Sequence, residues 1–404
     1  MLFLNSLQIE YFIKNTLNDT GNNLNIVKKA FWFKNKQSPV IFMIDDLANI
    51  YFRDDERYNK GDWGGLLNSK NSLYCYLKDT FIKKFPELKF TFFLVSGVRE
   101  VQSFGKYDFV DNSATSEFGW FLDHLISDGH EIGYHGNTHG VIDNTGRFIQ
   151  EWSSFSSIEE ANCSIQQGLE LISTSSSVKV KGGKYCGYEE GRFGHQSIVD
   201  SKFSWWFDLW DGDVEERPYG EFKDGVFYLP SNIDCSVYSL RLFQYLNRKK
   251  YYRSVVRQMK EGLVEGRLNN LLEMKGIISL QEHTSPIRTD GKTQYPNVFD
   301  DLSSIHYLLG RLNKHDVWWA TANDVAEYSR NREWIEIKMH SKTEFMFMCN
   351  DERYCTEGSL LTLIFADSIC SIKVNEHYYT AYIKDDLCMV DVKVSLTDVY
   401  YMVN

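Results

Sequence analysis

Two adjacent carboxylates follow an apolar run near the start of the chain. Residues 39–44 are all apolar and lead directly into Asp45 and Asp46. A short continuous apolar run of this kind predicts a buried strand. Two carboxylates at its end are costly to desolvate and repel each other unless a cation or hydrogen bonds relieve them. The pair therefore indicates a candidate cation site, with a helix N-cap or an acidic loop as the competing interpretation.

Two histidines, His135 and His139, stand four residues apart. On a helix they would share one face about 5–6 Å apart. That separation suits two nitrogen ligands of one metal ion at about 2.0–2.1 Å each. No glutamate follows His135, so the pattern differs from the H-E-x-x-H pattern of metalloproteases. The spacing alone is common, and two surface histidines at the start of a helix are the competing interpretation.

A third chemical group, His283, comes just after a predicted strand at residues 276–280. A lone histidine is more often structural, but its position matches that of the acid pair and of His135, which also follow predicted strands. In a barrel of parallel strands the carboxyl ends converge on one face, where active sites form. The sequence therefore predicts that these groups meet.

Apolar periodicity supplies the elements that would position them. Strands are predicted at 39–44, 89–95, 131–134, 178–180, 205–209, 276–280 and 317–321, and helices at 72–85, 116–127, 157–173, 239–274, 302–312 and 322–328. Alternation of strands and helices predicts an α/β architecture with mainly parallel strands, and the recurrence of polar groups after strands favours a barrel.

Three regions are predicted along the chain. Residues 1–37 are polar and form an N-terminal extension, and residues 38–330 form the barrel. From Trp334 onward apolar and polar residues alternate with a period of two, which predicts antiparallel strands. Residues 334–404 are therefore expected to form a small β-domain resembling a sandwich.

Composition narrows the classes of partner and compartment. The 404 residues carry a formal net charge of −11, so nucleic acid and anionic membrane surfaces are not expected partners. The first residues lack a signal-peptide pattern, and no run reaches the roughly 18 apolar residues of an integral membrane segment. The eight cysteines form no C-x-x-C pair, so free thiols and a cytoplasmic location are expected. The oligomeric state is not predicted.

Residues 129–139 read Gly-His-Glu-Ile-Gly-Tyr-His-Gly-Asn-Thr-His. Together with Asp45 and Asp46, this stretch resembles the polysaccharide deacetylases of the NodB-homology type, a family of carbohydrate esterases. Their first motif is T-F-D-D-G, and their second, H-[ST]-x-x-H, commonly follows G-H-E-I-G, which is matched here letter for letter. Residues 207–211 and 278–283 resemble the fourth and last motifs more loosely. The likeness spans roughly residues 38–330 and indicates a remote member.

The resemblance implies a distorted (β/α) barrel with fewer than eight repeats. It also implies one divalent metal ion, most often zinc, held by Asp46, His135 and His139. Asp45 would be the general base and His283 the general acid. His130 stands outside this ligand set, which leaves it a packing or hydrogen-bonding role.

The sequence departs from the family pattern at several positions. Leu47 replaces the glycine after the acid pair, Gly136 stands where Ser or Thr is usual, and the last motif has one extra residue before His283. The third motif, R-x-P-Y, is absent. In its place Lys184 would orient the base, and Tyr185 would supply a backbone N–H to the oxyanion.

Other candidates for substrate contact are Asp211 and, in the predicted loop at 50–65, Asp62 and Trp63. The expected activity is metal-dependent removal of an N-acetyl group from an amino sugar or a sugar-containing precursor, in surface-glycan biosynthesis. The same metal site could instead serve a deformylase or an O-acyl esterase. A non-catalytic carbohydrate-binding protein with a degenerate barrel is the alternative from a different class.

Overall fold

The computed structural model describes residues 27–52, 72–98, 107–211, 216–238, 265–284, 296–351, 354–366, 369 and 371–403. The chain divides into two compact units. The α/β unit comprises Phe31–Trp334 and Asp351–Thr356. The β unit comprises Ile335–Asn350 and Glu357–Asn404, together with the N-terminal residues to Ala30. Residues 31–37 thus lie in the α/β unit, and residues 27–30 lie in the β unit.

The strands in chain order are β1 (Val27–Lys29), β2 (Pro39–Leu47), β3 (Asn49–Phe52), β4 (Phe90–Leu94), β5 (Tyr107–Asp111), β6 (Glu131–Tyr134), β7 (Gly140–Ile142), β8 (Phe148–Gln150), β9 (Gly182–Lys184), β10 (Trp205–Phe207), β11 (Glu221–Lys223), β12 (Val226–Tyr228), β13 (Ile233–Asp234), β14 (Ile278–His283), β15 (Trp318–Ala320), β16 (Glu336–Met339), β17 (Glu344–Met348), β18 (Leu360–Phe365), β19 (Ser371–Val374), β20 (His377–Thr380), β21 (Tyr382–Lys384), β22 (Leu387–Lys393) and β23 (Val399–Val403).

The helices are α1 (Leu73–Leu77), α2 (Ser116–Ser127), α3 (Glu151–Ser154), α4 (Ile158–Ser175), α5 (Gly194–Asp200), α6 (265–274), α7 (Leu302–Leu312) and α8 (Ala322–Trp334). A wider helical turn, Lys78–Ile82, continues α1. Short 3-10 turns cover Phe33–Asn35, Cys186–Tyr188 and Cys235–Tyr238.

One mixed sheet organises the α/β unit. Its order is β11-β12-β10-β9-β6-β4-β2-β14-β13, with β15 also paired to β2, and all pairings are parallel except that of β11 with β12. The sheet curls into a half-barrel, which confirms the predicted distorted α/β barrel. Because the strands run in parallel, the carboxyl ends of β2, β6, β9 and β14 lie at one edge.

Apolar burial explains this arrangement. All nine residues of β2 and all five of β4 are buried, as expected for strands covered on both faces. Helix α2 contributes Phe118, Phe121 and Leu125 from one face to the same core, and α7 contributes Leu308 and Leu312. The core therefore fixes the strands whose ends carry the polar groups.

The strand predicted at 178–180 is displaced in the structure, where the paired residues are Gly182–Lys184. Glycine is depleted in strands, which hides this one from its sequence. A Cβ on Gly182 would lie 2.2 Å from Trp205 Cδ2, and one on Gly183 would lie 2.5 Å from Trp206 Cζ3. The two glycines thus make room for the indoles of β10, and they set the position of Lys184 at the end of the strand.

Other differences concern element ends. Helix α8 continues to Trp334, beyond the predicted end at 328, and β14 continues to His283, beyond the predicted end at 280. Residues 53–71 and 239–264, which include most of a predicted loop and most of a predicted helix, lie outside the described residues.

The described residues of the β unit form two antiparallel sheets, as the period-two pattern predicts. One has the order β1-β18-β22-β21, and the other has the order β16-β17-β23-β19-β20. Burial alternates along the strands, for example in β17, where Phe345 and Phe347 are buried and their neighbours are not. The N-terminal strand β1 joins the first sheet through its antiparallel pairing with β18.

Two expectations from composition concern the state of the cysteines and the presence of a helix that could cross a membrane. Cys349 and Cys355 are disulfide-bonded, whereas free thiols were expected. Disulfides are typical of oxidising compartments, so these two residues give the predicted cytoplasmic location no support. Within the described ranges, no helix combines the length and the apolar character needed to cross a membrane.

Candidate active site

The acid pair lies at an irregular end of β2. The pairing of β2 with β4 shifts register between Ile44 and Leu47, and Asp46 has a φ of +67°. Such left-handed backbone is uncommon for residues other than glycine and is concentrated at functional sites. In a regular strand the adjacent side chains of Asp45 and Asp46 would point to opposite faces of the sheet. The irregular backbone allows both side chains to lie at the same site. Both side chains are almost fully buried.

The two histidines do not lie on a helix, which corrects the geometry predicted from their spacing. His135 directly follows β6, and residues 135–139 form a loop that ends where β7 begins at Gly140. The loop turns sharply because Gly136 has a φ of +85° and His139 a φ of +66°. The turn brings the two imidazole centroids to 5.2 Å, so that both rings face Asp46.

Three donor atoms converge at this loop. Asp46 Oδ1 lies 3.2 Å from His139 Nε2 and 3.8 Å from His135 Nε2. Two ligands on a tetrahedral ion at 2.0–2.1 Å would be about 3.3 Å apart. One carboxylate and two imidazoles are also a donor set that zinc and related divalent ions accept. The described residues therefore fit a metal ion with three protein ligands.

Backbone contacts orient the first histidine ring. His135 Nδ1 lies 2.9 Å from the carbonyl oxygen of Lys184, to which it donates when it carries the proton. That tautomer leaves Nε2 with a lone pair facing Asp46, the arrangement found for metal-bound histidines. Burial lowers the pKa of His135 to about 4 against the opposing effect of Asp45. The ring is thus neutral at neutral pH, as ligation requires.

A cysteine lies close to the same histidines. Donor atoms of His135, His139 and Cys186 all fall within 4.8 Å of one another, so a ligand set with the thiolate is geometrically conceivable. However, Cys186 Sγ donates a hydrogen bond to the backbone oxygen of His135 at 3.2 Å. A thiol that donates keeps its proton, whereas a ligand must lose it. Asp46 is therefore the better third ligand.

Asp45 is held by a polar network. Its Oδ2 accepts from Lys184 Nζ at 2.6 Å and from Gln281 Nε2 at 3.2 Å, and Tyr188 donates its hydroxyl to Gln281 Oε1 at 2.5 Å. The Lys184 ammonium also lies 4.3 Å from the centre of the Tyr188 ring. Burial lowers the pKa of Lys184, but Asp45 and Tyr188 together raise it above its ordinary value. Lys184 thus stays charged beside the base.

His283 faces the same carboxylate from β14. His283 and Asp45 are direct partners in the parallel pairing of β14 with β2, and His283 Nε2 lies 3.6 Å from Asp45 Oδ2. The extra residue in the last motif therefore does not remove His283 from the site. Its Nδ1 lies 2.9 Å from the carbonyl oxygen of Pro296, which directs Nε2 toward Asp45. Burial lowers the pKa of His283, although Asp45 and Asp46 oppose that effect.

The other predicted site residues make different contacts or lie outside the described part of the chain. The backbone N–H of Tyr185, predicted to bind an oxyanion, donates to Phe207 O at 3.2 Å within the sheet, so it is directed away from that role. The carboxylate of Asp211 is bonded by Arg217 and by the backbone N–H of Ser231. The predicted contacts Asp62 and Trp63 lie outside the described residues.

His130 serves the core, as its exclusion from the ligand set implied. Its Nδ1 accepts from the backbone N–H of Phe90 at 3.2 Å, and its Nε2 lies 3.0 Å from the hydroxyl of Tyr74. That hydroxyl donates to Asp128 Oδ2 at 2.5 Å. Burial lowers the pKa of His130 to about 4.

Three residues of the site were not predicted. Gln281 had a usable signal, because it stands two positions before His283 on one strand and so shares its face. Tyr188 lies four residues after Lys184, in the 3-10 turn that follows β9, and gave no comparable signal. Glu151 accepts hydrogen bonds from backbone N–H groups of residues 137–139, in the loop at residues 135–139 (the histidine loop). Nothing in the local sequence of Glu151 indicated that contact.

No family model matches the chain, and a search of the curated proteins gave no match. Three similar solved structures are a polysaccharide deacetylase from Mycobacterium smegmatis (14% identity, TM-score 0.44, covering 77% of this chain and 96% of that one), a CE4 family pseudoenzyme from Bacillus anthracis (14%, 0.35, 73% and 66%) and a family 4 acetyl xylan esterase from Clostridium thermocellum in complex with a cobalt ion (11%, 0.33, 71% and 90%). These structures belong to the group of proteins that the motifs resemble, and the identity of each to this chain is 14% or lower.

Proposed function

We propose that this protein is a metal-dependent hydrolase that removes an N-acetyl group from an amino sugar or a sugar-containing precursor. The observation that carries the proposal is the convergence of Asp46 Oδ1, His135 Nε2 and His139 Nε2, with Asp45 and His283 beside them. The choice of an N-acetyl sugar as substrate and of surface-glycan biosynthesis as the setting derives from the motif resemblance.

Asp46, His135 and His139 would hold the ion, for which zinc is the proposed identity. A divalent ion at this position, when bound, polarises the amide carbonyl and lowers the pKa of a water molecule. The chain's own residues then have to position the reactants and move two protons.

Asp45 is suited to take the first proton. Lys184 and Gln281 both bond to Oδ2, while Oδ1 is buried and has no hydrogen-bond partner among the described residues. The ammonium and amide donors thus fix Oδ2, and Oδ1 can accept the proton of the attacking water. Because Lys184 is buried and charged, it also keeps the carboxylate oriented through the step.

His283 is suited to deliver the second proton. With Nδ1 bonded to the Pro296 carbonyl, the proton that the ring gains and loses is the one on Nε2, which faces Asp45 at 3.6 Å. Breaking the C–N bond without protonation would release an amine anion, a very poor leaving group. Protonated His283 would supply that proton to the nitrogen as the bond breaks.

Metal content and acetate release test the proposal together. Asp46→Ala, His135→Ala and His139→Ala should lose the metal measured by elemental analysis, whereas Asp45→Asn should keep it and lose turnover. His195→Ala is the matched control, since His195 bonds to Asp224 and Tyr228 instead and should retain both properties. Full acetate release by metal-stripped protein would refute the proposal.

A substrate panel separates the alternatives at the same site. N-acetyl, N-formyl and O-acetyl sugars are compared at equal concentration, and the proposal predicts the highest kcat/KM for an N-acetyl compound. Preference for the formyl or O-acetyl compounds would indicate a deformylase or an esterase. Binding of sugar without release of any acyl group, in metal-loaded protein, would indicate the non-catalytic alternative.

A further inference from the structure

Glu151 lies beneath the histidine loop with its carboxylate buried. It is the first residue of α3, and only 2% of its surface is exposed. Its Oε1 accepts from the N–H of Asn137 at 2.9 Å, and its Oε2 accepts from the N–H groups of Thr138 and His139, each at 2.8 Å. Ser164 Oγ donates to Oε1 at 3.0 Å. Three consecutive backbone donors thus converge on one anion.

Such a set of bonds constrains the backbone. Successive N–H groups that point inward form a concave site for an anion, and hydrogen bonds to a charged acceptor are stronger than neutral ones. His139 stands in this segment with a φ of +66°, which costs energy for a residue with a side chain. The carboxylate of Glu151 offsets that cost and holds His139 where Nε2 lies 3.2 Å from Asp46 Oδ1.

The residue at position 136 fits the same arrangement. Gly136 has a φ of +85°, and a Cβ at this position would lie 2.3 Å from Glu151 Oε2 and 3.2 Å from Cys186 Sγ. A side chain at position 136 and the carboxylate of Glu151 therefore compete for one space. In this chain the loop is secured by a carboxylate from outside it, and the first position after His135 is left without a side chain.

We propose that Glu151 is the positioning residue of the loop and that, through it, Glu151 sets the affinity of the site for a divalent ion. The inference rests on the proposed metal centre formed by Asp46, His135 and His139. Glu151 is not a ligand, since its oxygens are used by the backbone of residues 137–139. It acts on the ion only by fixing where His139 stands.

The test compares Glu151→Gln with Glu160→Gln in the full chain. Glu160 accepts from the N–H and hydroxyl of Ser156, so its variant also removes a carboxylate that bonds to backbone, but at an exposed position outside the loop. Metal-free protein is titrated with Co²⁺, and the visible absorption of the complex reports both affinity and ligand geometry. Amide hydrogen exchange at residues 137–139 is measured in the metal-free proteins.

Glu151→Gln should weaken Co²⁺ binding roughly 10- to 100-fold, the usual effect of removing a residue that supports a ligand. It should also change the Co²⁺ spectrum and accelerate exchange at residues 137–139, while Glu160→Gln leaves all three unchanged. Glu151→Asp, which keeps the charge, should recover part of the affinity. Unchanged affinity and spectrum in folded Glu151→Gln would overturn the inference.

Two further outcomes are decided by the same design. If wild-type protein binds no Co²⁺, the proposed metal centre is refuted, and the exchange rates still show whether Glu151 holds the loop; unchanged rates would refute that as well. If Glu151→Gln does not fold, as judged by circular dichroism, Ser164→Ala replaces it, because it removes one donor to Oε1 and keeps the carboxylate. A smaller loss of Co²⁺ affinity is then expected, and no loss would overturn the inference.

Discussion

Replacing Lys184 with methionine should expose how strongly the site depends on one buried ion pair. Lys184 and Asp45 lie 2.6 Å apart with side chains that are 1% and 3% exposed. Without the ammonium, the carboxylate keeps the amide of Gln281 but loses its cation. Removing one partner of a buried pair costs about 3–5 kcal/mol, whereas exposed pairs contribute about 1 kcal/mol or less. Lys36→Met provides the exposed comparison, since Lys36 bonds to Asp316 at 2.7 Å on the surface.

The assay is urea unfolding of metal-stripped protein, in which a bound ion cannot compensate for the missing charge. Lys184→Met should lower the free energy of unfolding by about 3–5 kcal/mol. Adding Asp45→Asn should restore much of that loss, because the double variant no longer buries an uncompensated charge. A loss of stability in Lys184→Met no greater than that in Lys36→Met, or a double variant less stable than Lys184→Met alone, would refute this prediction.

Other predictions follow from packing and from single hydrogen bonds. The pKa of His130 falls from 6.5 to about 4 on folding, so the wild type should lose on the order of 3 kcal/mol of stability as pH falls through that range. His130→Leu should show a smaller loss when urea unfolding is compared at pH 7 and pH 4.5. Gly182→Ala should destabilise the protein by about 1–3 kcal/mol, because its Cβ would overpack against Trp205. Gly310→Ala, in α7 with open space around it, should stabilise the protein by roughly 0.5–1 kcal/mol. Equal shifts of Tm in the two variants would contradict this prediction. Tyr188→Phe removes a hydrogen bond of about 1 kcal/mol to Gln281 and should slow acetate release roughly fivefold with metal content unchanged.

The strand-end groups could be predicted because their signal is local. An apolar run ending in Asp45 and Asp46 marks a buried strand, and parallel strands must bring their carboxyl ends together. His135 and His283 also follow predicted strands, so the sequence predicts that they lie near the pair. The structure adds the register, in which His283 is paired with Asp45 across two strands.

What the sequence could not supply is set by contacts between distant residues. The spacing of His135 and His139 predicted a helix where the chain forms a loop, because the backbone N–H groups of that loop bond to the carboxylate of Glu151. Gly182 and Gly183 hid a strand whose existence depends on indoles from β10. The local sequence around these residues indicates neither Glu151 nor the indoles of β10 as a partner. Contacts of this kind override the intrinsic conformational propensity of the residues.

The most direct test of the proposed centre is a crystal of zinc-loaded protein examined by anomalous scattering on both sides of the zinc absorption edge. One peak is expected, with Asp46, His135 and His139 each contributing a ligand atom at about 2.0–2.1 Å. The peak should be absent from His139→Ala crystals prepared identically. The proposed metal centre is contradicted if wild-type protein shows no peak at this position, or if the ion is bound through the sulfur of Cys186 with Asp46 outside its coordination.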